Sequence, residues 1–182
     1  MATENLSNFS LISRLFGNLF YRCPTDPILA GVFGWLQQGG LSQVWVLETD
    51  KQTQSAIESL QIPLDLTLLA QEYHKLFANV SPAISAYGLN VEEFVAFRKE
   101  RAMSEVESAD HFGLLFLTAS WIEDNLDSVD AQRELFERFL LPCASQFLNQ
   151  VETQASLPFY KALALLSREI LAAMADELDE ND

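Results

Sequence analysis

Histidine and cysteine are scarce in this chain, with two of each among 182 residues: His74, His111, Cys23 and Cys143. That scarcity removes much metal and nucleophile chemistry at once. No HExxH, no Glu-x-x-His and no Cys/His cluster occurs, which excludes zinc hydrolases and di-iron bundles. No GxxxxGK[ST] or GxGxxG offers a phosphate cradle, and no GxSxG offers a nucleophile elbow. The two cysteines show no CxxC spacing and are too few for a disulfide framework in a chain of this size. They are expected to be free, buried thiols in a reducing compartment. No catalytic residue, metal ligand or cofactor is expected, and the chain reads as a binding protein, not an enzyme.

Basic residues are also few. Eleven Lys and Arg stand against 26 Asp and Glu, a formal charge of -15. Such a field repels nucleic acid and anionic lipid and attracts basic peptide segments, although acidity by itself also keeps a protein in solution. The run Asp176-Glu177-Leu178-Asp179-Glu180 has no opposing carboxylate cluster and reads as solvated charge. Long apolar runs are missing too. Phe112 to Ile122 contains Thr118 and Ser120 and falls short of the roughly 20 residues a bilayer requires. The start, MATENLSNFS, has no basic region leading into an apolar stretch, so no secretory signal is expected.

Glycine is scarce and phenylalanine plentiful, seven against thirteen, which favours packed helices over a turn-rich β protein. Leu6, Phe9, Ile12, Leu15, Phe16, Leu19 and Phe20 recur at helical steps, predicting a first helix from about Leu6 to Arg22, ended by Pro24. Thr25-Asp26-Pro27 opens a second helix that buries Ile28, Val32, Trp35 and Leu36 and stops at Gly39-Gly40. Val44 to Leu47 could form a strand but has no partner, and a weaker helix is expected from Thr49 to Leu60. Another follows from Pro63 to Phe77. Ala78 to Leu89 is the clearest loop. Asn90 starts the next helix with Glu93 as a capping-box partner, and Phe94 and Phe97 are its apolar contacts. Glu105 to Ala109 is a polar break before a well-buried helix from Asp110 to about Asp124. Asp127 or Ser128 starts another, with a kink or break expected at Pro142 before it reaches about Glu152. The last runs from Phe159 to about Leu178, and 179–182 is an acidic tail expected to fray. Without repeats or long linkers, residues 1–182 read as one all-α domain, a bundle of about eight to ten helices.

The pair Asp110-His111 is the most informative local feature. On the residues alone, Asp110 accepts backbone N–H bonds near a helix start, and His111 is a partly buried ring satisfied by one hydrogen bond. The functional alternative is a groove edge, where an ionised Asp110 pairs with arginine and raises the proton affinity of His111.

Three segments, in order, resemble one family. Glu72-Tyr73-His74-Lys75-Leu76-Phe77 resembles the E-Y-x-x-L-F segment of the TorD/DmsD/NarJ redox-enzyme maturation chaperones. Glu105 to His111, followed by Leu114-Leu115, resembles that family's glutamate, spacer and Asp-His before an apolar helix. Pro158-Phe159-Tyr160-Lys161-Ala162-Leu163 resembles its P-F-Y-x-x-L. Leu15 to Tyr21, then Pro24, also fits, and Ala109-Asp110-His111 with Ala119 to Asp124 is closest to the YcdY-like branch.

The resemblance implies a TorD-like all-helical, cytoplasmic chaperone. Its partner would be a twin-arginine leader peptide, or the apo form of a molybdopterin-type redox enzyme, held during cofactor insertion while export is delayed. The residues it marks as peptide-binding are Tyr73, Leu76, Phe77, Pro82, Tyr87, Asp110, His111 and Leu114. It also implies a monomer able to form a domain-swapped homodimer, hinged in 78–89 or 105–109. Two positions depart from the family pattern: Ala83 replaces an aromatic, and Ala109 a proline. They leave open a chaperone or regulatory partner of a non-exported metalloenzyme. Weak GTP binding, reported for some relatives, is the remaining alternative.

Overall fold

In the computed structural model, which describes residues 2–45, 47, 49–126 and 128–180, with side chains from residue 8 onward, two helices cross at a pair of glycines. The first is α1 (Ala2–Tyr21) and the second is α7 (Phe112–Asn125). A Cβ on Gly17 would lie 2.9 Å from the Gly113 carbonyl oxygen, and one on Gly113 would lie 2.7 Å from the Gly17 carbonyl oxygen. Only hydrogen fits at either position. Further along the crossing the Ser10 hydroxyl donates to Asp124 Oδ1 at 2.6 Å and lies 3.0 Å from the Ser120 hydroxyl. Small residues on one flank of α1 thus face α7, while its large ones, Phe9, Ile12, Phe16, Leu19 and Phe20, are buried in the core.

Between these helices run α2 (Ala30–Gln37), α3 (Gly40–Val44), α4 (Lys51–Gln61), α5 (Leu66–Asn79) and α6 (Val91–Glu100). After them come α8 (Val129–Leu135), α9 (Leu141–Gln154) and α10 (Pro158–Glu180). Among the described residues there is no strand. No helix there is long and apolar enough to cross a membrane. The long α10 packs against α4 and α9, and Thr53 of α4 donates its hydroxyl to Glu169 at 2.8 Å. Phe16, Phe20, Phe112, Phe116 and Phe147 meet in the centre. The Phe112 and Phe147 ring centroids are 4.4 Å apart. Edge and offset contacts of this kind add about 0.5–1.5 kcal/mol per pair beyond area burial.

Most expected elements are present, with boundaries set by the capping residues. Asp50, Asp65 and Asn90 each accept backbone N–H bonds at the start of α4, α5 and α6. The helix expected from Pro63 therefore begins at Leu66. The capping box at Asn90 is one-sided, because the Glu93 carboxylate pairs with Arg138 instead of reaching back. Gly39 adopts a left-handed conformation, φ 82, and ends α2 as expected, but Gly40 opens the unexpected short α3. A Cβ on Gly40 would fall 2.2 Å from the Trp35 indole, so glycine lets that ring lie flat on the turn. Ile28, expected inside, is 59% exposed because Pro27–Leu29 is a 3-10 turn that points it outward.

Ser128 caps α8, while Asp127 lies outside the described residues. The break near Pro142 takes the form of a π-helical segment, Phe136–Leu140, whose wider turn absorbs the missing N–H and the ring just before α9. In the 44–47 stretch, Val44 is helical and Val46 lies outside the described residues. α10 extends through Asp179 and Glu180, and Asn181-Asp182 lie outside the described residues. Cys143 is buried as expected, but Cys23 is only half-buried.

Gly113→Ala is expected to lower stability by about 1–3 kcal/mol, since backbone, not a flexible side chain, blocks the new methyl. Gly31→Ala, with open space around it, is expected to be neutral or to add up to about 1 kcal/mol. Urea unfolding of both variants checks this, and equal midpoints for Gly113→Ala and wild type would contradict the crossing.

Candidate functional site

The α1–α7 crossing delivers Tyr21 to the start of α7. There its ring meets His111 edge-on, with centroids 4.9 Å apart, and its hydroxyl donates to the Ser108 carbonyl at 3.1 Å. His111 is the N-cap of α7. Its backbone is extended, and its Nδ1 accepts the Gly113 N–H at 2.9 Å. A nitrogen that accepts from an amide holds no proton, so the ring is neutral with its hydrogen on Nε2. Burial reinforces this and pushes its pKa down to about 4, against the smaller upward pull of Asp110. Asp110 does raise the proton affinity of His111 as expected, but desolvation outweighs the neighbouring charge and the net shift is downward.

Asp110 does not cap α7 either. It accepts the Ser85 N–H at 2.9 Å and the Ser85 hydroxyl, and so anchors the loop between α5 and α6. One residue past His111, the Phe112 N–H donates to the Pro82 carbonyl at 2.7 Å. Tyr87 closes the same loop by donating to the Ser81 carbonyl at 2.6 Å, and its ring rests on Phe147. Gly88, at φ 88, ends the 3-10 turn Ile84–Tyr87 in a left-handed conformation. Hydrogen bonds from Ser85 to Asp110 and from Phe112 to Pro82 thus tie the 81–88 loop to the start of α7, which places Pro82, Ser85, Tyr87, Asp110 and His111 in one structural unit.

Tyr73 joins this unit through α1. Its hydroxyl donates to the Phe20 and Tyr21 carbonyls at 3.4 and 3.5 Å, and burial pushes its pKa up to about 12. Phe77 is half-buried in an aromatic cluster with Phe20, Tyr73, Phe147 and Tyr160. Leu76 and Leu114 are core residues, 3% and 2% exposed, and support the wall without reaching its surface. Sequence reasoning missed two parts of the unit. Tyr21 carried a signal, since it ends the family-like stretch Leu15 to Tyr21, whereas Ser85 is an unremarkable loop serine.

The ordered motifs also meet one another. The buried Glu72 accepts the Ser156 and Leu157 N–H groups at 2.6 and 3.2 Å, at the positive end of α10, while Tyr73 and Phe77 pack against Tyr160. Among the described residues no group of three or more His, Cys, Asp or Glu could hold a metal ion.

No protein-family model matches the chain. It is 37% identical over 185 residues to the chaperone protein YcdY of Escherichia coli, covering 97% of this chain and 98% of the relative. The chain belongs to the TorD/DmsD chaperone family, in its YcdY-like branch. An uncharacterized protein of Haemophilus influenzae is 68% identical over 183 residues, 99% of this chain and 100% of its own length. The Tat proofreading chaperone DmsD of Salmonella typhimurium is 28% identical over 188 residues, 94% of this chain and 91% of its own length. The named TorD/DmsD relatives are chaperones, not enzymes.

Two outcomes test the geometry. The lowered proton affinity of His111 costs the fold nothing above about pH 6.5 and destabilises it increasingly as pH falls toward 4, because the unfolded chain takes up the proton first. The loss is on the order of 2–3 kcal/mol, and His111→Asn, which can still cap, is expected to flatten the dependence. Urea titrations at pH 7 and pH 4.5 measure it. Glu72→Ala leaves two amide hydrogens without their acceptor and is expected to destabilise by about 2–3 kcal/mol, read as a shift in thermal midpoint.

Proposed function

We propose that this protein is a cytoplasmic chaperone that binds the twin-arginine leader, or a neighbouring apo segment, of a molybdopterin-type redox enzyme. It holds the client during cofactor insertion and delays its export. The relatives support the general role through their names. The observation that carries the reading is the half-buried surface where Asp110, His111, Pro82 and Tyr87 are fixed together beside Tyr73 and Tyr21.

That surface has the chemistry of a basic–apolar peptide. Asp110 uses one acceptor site on each oxygen for Ser85, whereas an ionised carboxylate offers about four, which leaves room for a guanidinium. The aromatic rings supply apolar area at small entropic cost because they are already packed. The net charge of -15 draws a cationic leader toward the protein before contact. His111 stays neutral in this setting and presents Nε2–H as a donor to a peptide carbonyl.

A second reading, a client without a twin-arginine leader, rests on Ala83 and Ala109. Small side chains stand at both ends of the stitched unit where the family pattern has an aromatic and a proline.

Calorimetric titration separates the two. Leader peptides carrying Arg-Arg or Lys-Lys are titrated into wild type, Asp110→Ala, His111→Ala and Ser85→Ala. The Arg-Arg leader is expected to bind, and Asp110→Ala to weaken it by about 10- to 100-fold, as fits loss of a charge-assisted bond. Ser85→Ala removes a loop anchor yet keeps the carboxylate, and a smaller loss is expected. Equal affinity for wild type, Asp110→Ala and His111→Ala sinks the assignment of this surface. Equal binding of both leaders favours the second reading.

A further inference from the structure

Cys23 and His74 come together from segments 51 residues apart, and nothing in the chaperone role uses them. The Cys23 sulfur lies 3.6 Å from His74 Nε2, a hydrogen-bond separation for sulfur, and 3.4 Å from the Thr25 hydroxyl. The pairing is tertiary. Cys23 follows the end of α1, where Pro24 turns the chain, and His74 sits on the outward face of α5. His74 is exposed and Cys23 is half-buried, so the pair lies at the surface and not in the core.

The other cysteine is the reverse case. Cys143 is fully buried, donates to the Phe139 carbonyl at 3.4 Å, and is pushed up to about 12 by burial. One chain therefore holds an inert thiol in its core and a second thiol with a base and a hydroxyl beside it at the surface. Thiols react as thiolates, and an adjacent imidazole that can take the proton, with a hydroxyl that can donate to the resulting anion, is the arrangement that assists them.

We propose that Cys23 and His74 form a thiol–disulfide exchange site for low-molecular-weight disulfides. His74 Nε2 takes the thiol proton, and the Cys23 sulfur bonds to one sulfur of the disulfide. The S–S bond of the reagent breaks, and its other half leaves as a thiolate that recovers the proton. The protein thiol is oxidised to a mixed disulfide while half of the reagent is reduced to a thiol, so atoms and electrons balance. Thr25 stabilises the sulfur anion. The adduct would stand between Tyr21 and Tyr73, two residues along the chain from the first and one residue beside the partner of the second, on the flank of the peptide surface. The exchange chemistry itself does not depend on that surface binding any peptide.

The test uses the full chain with its native fold confirmed by circular dichroism. A chromogenic aromatic disulfide reports the rate of thiol reaction for wild type, Cys23→Ser, His74→Gln and Thr25→Ala at pH 7. Wild type is expected to react at one thiol, and Cys23→Ser at none until the protein is unfolded. His74→Gln is expected to be slower by about tenfold or more, as loss of an adjacent base predicts. Incubation with glutathione disulfide is expected to give one mass adduct, on the peptide containing Cys23. Equal rates for wild type and His74→Gln, labelling that persists in folded Cys23→Ser, or an adduct on Cys143 alone would each overturn the proposal.

Discussion

The contact on which the other features depend is the glycine-to-glycine crossing of α1 and α7. With Gly17 and Gly113 each within van der Waals reach of the other's backbone, the two axes approach closer than any side chain larger than hydrogen permits. That closeness has two results. It presses the aromatic flank of α1 into Phe112 and Phe116 and so seeds the core. It also sets Tyr21 over His111, because Tyr21 lies one helical turn beyond Gly17 and His111 two residues before Gly113. The candidate site is thus a by-product of helix packing, held as rigidly as the crossing itself.

Polar groups complete what packing begins. Asp110, His111 and Glu72 each satisfy backbone amides across or beside a break in helix: in the 82–85 loop, at the start of α7 and at the start of α10. Asp110 and Glu72 each link two motifs that are distant in sequence, while His111 caps its own helix. Loss of one leaves buried or half-buried amides without a partner, which is the expensive outcome for a hydrogen bond. A binding surface built this way resists collapse when empty. Preorganisation of this kind reduces the entropy lost on binding.

Charge acts at two ranges. The overall negative field works at a distance and is indifferent to detail. Close to the site, detail decides. Desolvation keeps His111 neutral in spite of Asp110.

The sequence by itself determined the helical class, the order of the elements and some of their capping residues, because helical periodicity and N-cap chemistry act over four residues or fewer. The stripe from Phe9 to Phe20, the cap at Asn90 and the interruption near Pro142 were legible on those grounds, whereas the caps at Asp50 and Asp65 were not singled out. The ordered motifs also indicated the family. Tertiary structure alone decided the roles of the site residues. Whether Asp110 caps its own helix or anchors a distant loop depends on where Ser85 lies, and no local pattern encodes that. Whether Asp110 or burial controls the His111 ring depends on Tyr21 and the helix packed above it. Leu76 and Leu114 share the motifs of Tyr73 and His111 yet point into the core, since helical spacing fixes a face without saying which face is covered. Cys23 meets His74 for the same reason: a turn at Pro24 brings the end of one helix against the outer side of another, and only the packed fold sets that distance.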